Sequence, residues 1–472
     1  LPTEDEIKLA QDVREKTDYI FRDVPFGVPS ESTPAGGGSG AGRAFSVQGY
    51  GLLHWSDLFT PRQLAVLGTF VKYIRQATSR MKEEEYPTEW VEAVTAYLAC
   101  AFDKIADYNS TLVDWQPGGG KGGHTFQRWA LPMSWDFCEN NILDSDSGGW
   151  DAVLNWVTAP IAGSLHSAAK DALPPHVLMS SATNITTKAD IIVTDPPYYD
   201  AIPYSDCMDF FYVWLRRILN GLSVGIDSAF NEPLSPKWDH EKNDGELIDD
   251  ESRHDGNAKK SKAIYEDGMF RAFKACHGAL TSDGRLVIVF AHKEPDAWET
   301  LVSAIIRAGF VVDGSWPIQT EMGNRSRAMA SAALASSVWL VCKKRPATAR
   351  PGWDNKILKE MRAKITTRLR EFWDAGIRGP DFVWAATGPA LEAYSKHPVV
   401  KKADAPGEVM SVGEFLQGRE VVDELKKPHP AIVVVATYFS PSAENILNAY
   451  GVATAKSILP LDSKANAARL LD

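Results

Sequence analysis

Four consecutive residues, Asp195-Pro196-Pro197-Tyr198, put a carboxylate, two stiff backbone carbonyls and an aromatic face into one short loop. Such a set suits methyl transfer to an exocyclic ring amine. That nitrogen is a poor nucleophile, because its lone pair is delocalised into the ring. A carboxylate from Asp195 and the carbonyl of Pro196 can accept its two N–H groups and turn the lone pair towards a donor. Proline fixes its own φ and has no N–H, so two in a row hold the carbonyl still. Tyr198 can stack on the ring, a contact worth ~1–3 kcal/mol per base in comparable sites. The rate would then come from alignment and charge placement rather than a covalent intermediate. A base inside a duplex must leave the stack to reach such a loop. Tyr199 and Tyr204 follow closely on the substrate side. Phe210, Phe211, Tyr212 and Trp214 come next; they could line a pocket, but most are expected in the core.

Elements on either side must position the loop. Ala189 to Thr194 is a short apolar run that reads as a strand, and ligands of open α/β sheets bind beyond the carboxyl ends of strands. A helix is expected at about 205–220, a second over 263–280, and a turn at Asp283-Gly284. A buried strand follows at 285–290, a helix at 295–308 ending at Gly309, and strands at 310–316 and 337–342. This succession predicts an α/β fold with a mainly parallel sheet, and an antiparallel edge pair where the last two strands lack a helical crossover. Upstream, residues 1–45 read as a charged helix and a Gly/Pro linker. Residues 46–175 read as mainly helical, with Thr60-Pro61 a helix start. Residues 176–346 hold the loop, with a polar, mobile insertion at about 228–260. Residues 347–472 read as a basic helical region.

Residues 192–217, IVTDPPYYDAIPYSDCMDFFYVWLRR, closely resemble the adenine-specific DNA methylase family whose full-length members carry a zinc ribbon. YGLLHWSDLFTPRQL at 50–64, HTFQRWALPMSWDF at 124–137 and SWPIQTEMGNRSRA at 315–328 resemble the same family, and the likeness covers roughly residues 45–420. The resemblance implies a Rossmann-like methyltransferase core with helical additions, S-adenosylmethionine as cofactor, DNA as partner and adenine N6 as acceptor. It gives the catalytic role to Asp195, Pro196, Pro197 and Tyr198. Glu321, Asn324 and Arg325 would touch the target, and Asp195 would face the cofactor; apart from the resemblance, Asp107-Tyr108-Asn109-Ser110 could face the cofactor or the substrate, or simply end a helix as a polar cluster. Cytosine N4 or an RNA base could serve the same loop. A nucleic-acid-binding subunit without activity of its own is a further alternative.

The family's donor-binding strand and glycine turn are not found. Gly36 to Gly40 follows Val28–Pro34, which is no strand, and reads as linker. Phe382 to Pro389 looks like a strand followed by one glycine. Either the chain is the carboxyl-terminal part of a larger enzyme, as its first residue Leu1 suggests, or a partner chain supplies those strands.

Bulk properties narrow the classes. Lys and Arg number 50 against 61 Asp and Glu, and the net charge of -11 counts against a phosphate-gripping surface. Residues 343–370 are nevertheless basic, and read equally as a solvated helix face or a backbone-binding one. The five cysteines form no CxxC pair, and no His is spaced with other ligands for a metal, so no metal site is expected. No apolar run is long enough to span a bilayer, the start shows no signal-peptide pattern, and the scattered cysteines suggest no disulfide framework, so a reducing cytoplasm is expected.

Overall fold

The computed structural model describes residues 3–37, 44–127, 129–143, 148–167, 173, 175–199, 202–292, 295–319, 336–374, 380–405 and 407–416. The chain forms two compact units. One holds residues 1–179 and 200–262, the other 180–199 and 263–472.

The first unit is mainly helical. Its helices are α1 (Glu4–Phe21), α2 (Pro61–Glu83), α3 (Thr88–Asp107), α4 (Trp150–Ser167), α5 (Tyr204–Leu219) and the short α6 (Val224–Ala229). α2 starts where the sequence places it. Thr60 caps it, Gln63 closes a capping box and Pro61 occupies the first turn, where its missing N–H costs nothing. α5 buries Phe210, Trp214 and Ile218 on one face. There Phe59 stacks on Phe210 with centroids 5.8 Å apart, and Phe102 meets Trp214 at 5.3 Å. Phe210 and Trp214 are therefore core residues, as expected for most of that run.

Residues 26–33, expected as linker, are fastened instead. The fully buried Arg217 donates to the carbonyls of Phe26, Gly27 and Val28 and to both carboxylate oxygens of Glu31. Thr33 N–H adds a bond to Leu53 O at 3.0 Å.

Two small antiparallel ladders complete this unit, β1 (Trp115–Gln116) with β2 (Lys121–Gly122), and β4 (Trp238–Asp239) with β5 (Asp244–Gly245). The second lies in the polar insertion, which ion pairs join to α5. Lys237 reaches Asp206 at 2.9 Å and Asp209 at 2.7 Å, and Arg253 reaches Asp206 at 2.9 Å.

The second unit is built on a four-stranded sheet of β3 (Ala189–Thr194), β6 (Leu280–Phe290), β7 (Phe310–Gln319) and β8 (Ser336–Lys344), in the order β3-β6-β8-β7. Helix α7 (Ala258–Ala279) feeds β6, and α8 (Pro295–Ala308) links β6 to β7. β3 and β6 are parallel, whereas β8 is antiparallel to both β6 and β7. The expected antiparallel edge pair is present. The mainly parallel sheet is not, because β8 inserts between two strands that point the same way. What the architecture establishes is a mixed α/β fold.

Two local expectations also change. Asp283-Gly284 is no separating turn: β6 runs through it, and its register against β3 slips between Ala189–Leu280 and Ile191–Arg285. The segment 382–389 is not a strand but part of α10 (Pro380–Ser395), which follows α9 (Asp354–Asp374). Gly388 lets α10 approach β7, since a Cβ there would collide with Ser315. Among the described residues no helix is long and apolar enough to cross a membrane.

Candidate functional site

β3 exists because Ala189 to Thr194 is short, β-branched and free of helix formers beyond Ala189. Asp195-Pro196 ends it, since proline cannot donate into a ladder. The chain then turns sharply. Tyr199 adopts φ +57°, a left-handed conformation that is costly for a bulky residue. Two hydrogen bonds accompany it. Tyr199 N–H approaches Pro197 O at 3.0 Å and the hydroxyl oxygen of Tyr265 at 3.2 Å. The Tyr265 hydroxyl itself donates to Pro197 O at 2.8 Å.

Behind the loop stands an aromatic wall from β6 and the helices beside it. Tyr198 meets the buried Phe290 edge-on at 5.3 Å. Tyr199 meets Tyr265 at 5.4 Å and His292 at 6.1 Å. His292 stacks on Phe290, and its carbonyl accepts from Trp298 Nε1 at 3.0 Å. His292 is thus a packed residue just past the end of β6.

In front, the Asp195 carboxylate is exposed, and its Oδ1 accepts from the Tyr198 hydroxyl at 2.9 Å. An exposed anion, a stiffened pair of prolines and an aromatic ring can together hold a flat group that donates hydrogen bonds.

The sequence-predicted residues divide. Asp195, Pro196, Pro197, Tyr198 and Tyr199 share one unit and one loop. Tyr204 belongs to the other unit, where it begins α5 and packs on Trp129 at 6.0 Å. Asn109 is also there, buried just past the end of α3, with its amide donating to Ile105 O at 2.9 Å. That bond satisfies a helix-end carbonyl. Glu321, Asn324 and Arg325 lie outside the described residues. Tyr265, Phe290 and Trp298 were not foreseen. Tyr265 sits in a polar stretch of α7, and only its apolar spacing with Met269 and Phe273, all buried, marks its inward face.

Several of the basic residues are committed internally. Lys344 donates to Leu280 O at 2.7 Å, Arg345 to Ile306 O at 2.9 Å, and Lys364 pairs with Glu392. Those side chains serve packing between elements of their own unit. Among the described residues no three His, Cys, Asp or Glu side chains gather as a metal site.

A family model described as 3-deoxy-D-manno-octulosonic-acid transferase (kdotransferase) matches residues 408–472. It covers less than half of the chain and does not reach the Asp195 loop. Residues 417–472 of the match lie outside the described residues. No curated protein and no solved structure matches the chain. This corrects the resemblance stated above, because the matching family is a sugar transferase and not the adenine-specific DNA methylase family. The expectations that came with the methylase resemblance are withdrawn: methyl transfer to a base, S-adenosylmethionine as cofactor and DNA as partner. So is the nucleic-acid-binding alternative. The stretch 382–389, read as a strand followed by glycine, is helical instead.

Proposed function

We propose that the Asp195–Tyr199 loop is a binding site for a small molecule with a flat ring bearing an exocyclic amine. The observation that carries this is the exposed Asp195 carboxylate at the carboxyl end of β3, flanked by Tyr198 and backed by Phe290. An amine has two N–H groups. Asp195 can accept one and the Pro196 carbonyl the other, while the Tyr198 face covers the ring. A ring with a carbonyl in place of the amine brings an oxygen against the anion at that position, and its one remaining donor, the adjacent ring N–H, lies a bond further round the ring.

The sheet supports a finer reading of the fold, as one half of a Rossmann-like, doubly wound domain. β3 and β6 are parallel, and Asp195 and His292 stand at their carboxyl ends, where such sheets bind ligands. β3 is an edge strand of the sheet among the described residues, and its Ile191 and Val193, which share one face, are 65% and 61% exposed, which suits a face covered by a further layer.

Calorimetric titration of the chain with adenosine against inosine, and cytidine against uridine, tests the site. A hydrogen bond to a charged group is worth about 1.5–3 kcal/mol, so the amine-bearing partner of each pair should bind about 10- to 100-fold tighter. Equal affinities within both pairs, or no binding of any, would overturn the reading.

The match at residues 408–472 favours a second reading, transfer of 3-deoxy-D-manno-octulosonic acid. The chain would be incubated with an activated form of that sugar and a hydroxyl acceptor. A complete lack of transfer would remove this reading and leave the loop proposal standing.

A further inference from the structure

We propose that Tyr265 is a positioning residue for the Asp195 loop: its hydroxyl fixes the backbone at Tyr199, and so decides whether the loop discriminates an amine-bearing ring. The inference rests on the reading of the loop just given.

The geometry is a two-way staple. A phenol has one proton to donate and lone pairs to accept with. Tyr265 uses the proton on Pro197 O at 2.8 Å and a lone pair on Tyr199 N–H at 3.2 Å. The two backbone groups lie on either side of Tyr198, so one buried hydroxyl brackets the residue whose ring and hydroxyl stand beside Asp195. A staple is needed here for a local reason. Tyr199 holds φ +57° without being glycine, a conformation that persists only when its surroundings over-determine it. Pro196 and Pro197 have no N–H, so the loop has few donors of its own with which to fix its shape. The Tyr265 ring adds an edge contact to the Tyr199 ring at 5.4 Å.

With the Pro197 carbonyl committed to Tyr265 and to the Tyr199 N–H, the neighbouring Pro196 carbonyl is the acceptor assigned to the ligand. Its direction follows from the bracketed turn. If the turn relaxes, Asp195 and Pro196 no longer present two acceptors at the spacing of one amino group. Discrimination then falls even though both groups remain.

Tyr265→Phe removes the hydroxyl and keeps the ring, so packing against Tyr199 survives. Wild type, Tyr265→Phe and Asp195→Asn would be titrated with adenosine and inosine. Tyr265→Phe is expected to weaken adenosine about tenfold and leave inosine unchanged, with the Tyr199 amide exchanging with solvent at least about tenfold faster. A merely structural role would lower the melting temperature without closing the gap between the two ligands. If the wild type and Tyr265→Phe discriminate equally while Asp195→Asn does not, the Tyr265 proposal is overturned and the site stands. If the wild type does not discriminate, both fall, and the loop reading is the one at fault. Should Tyr265→Phe not fold, exchange in the unliganded wild type still decides. The proton to follow is that of the Tyr265 hydroxyl, since Pro197 O also accepts the Tyr199 amide: slow exchange of the hydroxyl proton supports the staple, and exchange at the rate of a free phenol overturns it.

Discussion

Arg217 and Asp195 are both charged, and they show opposite uses of charge. Arg217 is fully buried, and its N–H groups are consumed by Glu31, by Val213 O one turn back and by the carbonyls of residues 26–28. Burial pulls its pKa down while Glu31 pushes back. Asp195 is exposed, at the end of a strand, with the neighbouring Tyr198 hydroxyl as a hydrogen-bond donor. The general rule that perturbed groups mark functional sites would select Arg217. Structural networks perturb charge as strongly as active sites do. What separates the two is whether the group's bonding capacity is already spent. The Asp206–Asp209–Lys237–Arg253 network is a second spent set: Asp209 is buried and pushed up by desolvation, while Lys237 and Ser235 hold it down.

The largest effect should come from Arg217→Met. It leaves several carbonyls without their donor and Glu31 with only the longer Arg216 contact at 3.6 Å. Removing one partner of a buried pair costs about 3–5 kcal/mol. Urea unfolding should show that loss, with adenosine binding unchanged in whatever fraction folds. A loss below about 1 kcal/mol would mean that water replaces the guanidinium, and the contrast with Asp195 would weaken.

Asp195→Asn should do the reverse. The expected loss of adenosine affinity is about 10- to 100-fold, with inosine unaffected or slightly tighter. Stability should stay within about 0.5 kcal/mol, because the side chain is exposed and an Asn amide oxygen can still accept from the Tyr198 hydroxyl. A large fall in melting temperature would show that Asp195 also serves the fold.

Asp103 and Asp107, one turn apart on α3, sharpen the comparison inside a single helix. Desolvation pushes Asp107 up, but His124, Lys104 and the Phe126 N–H overcome it and hold it below the usual value. Asp103 is pushed well above by burial and then by Asp107, and its Oδ1 is enclosed without a hydrogen bond. Asp107 therefore contributes stability that is present above the unfolded value of about 3.9 and lost as pH falls through its lowered one. Asp103 contributes most below about 3.9 and loses that contribution as pH rises through its raised value. Asp103→Asn should accordingly stabilise the protein by about 1 kcal/mol at pH 8 and by little at pH 4. Equal destabilisation at both pH values would refute the assignment.

Much of the loop and its supports was legible from local chemistry. Thr60-Pro61 specified a helix start, and Ala189–Thr194 with Asp195-Pro196 specified a strand and its end, because caps and prolines act on neighbouring backbone groups. Non-local partners were not legible. Residues 26–33 look like linker until Arg217, far along the chain, claims their carbonyls. Tyr265 looks like one aromatic in a polar helix until the Pro197 carbonyl is placed beside it. β8 lies between β6 and β7 because strands pair by tertiary packing, and nothing in the run 336–344 states which neighbour it takes. The resemblance of blocks such as 50–64 to a methylase family was the reading that the family-model match at 408–472 displaced.

The smallest predicted effect bears on Tyr198. Its hydroxyl donates to Asp195 Oδ1 at 2.9 Å, on the carboxylate assigned to the ligand's amine. Two roles for that bond predict opposite signs. If the hydroxyl competes with the ligand, Tyr198→Phe frees the oxygen and tightens adenosine. If it orients the carboxylate, the same change loosens it. The exposure of Asp195 favours competition, since an exposed carboxylate left without the hydroxyl is solvated by water and gains little from being aimed. The ring itself stays placed by its edge contact with the buried Phe290 at 5.3 Å. A neutral donor's net bond is worth about 0.5–1.5 kcal/mol, so Tyr198→Phe should tighten adenosine about 2- to 10-fold. Inosine, which gives Asp195 no amine, should gain nothing. A loosening confined to adenosine would reverse the assignment and make the hydroxyl part of the site rather than its occupant.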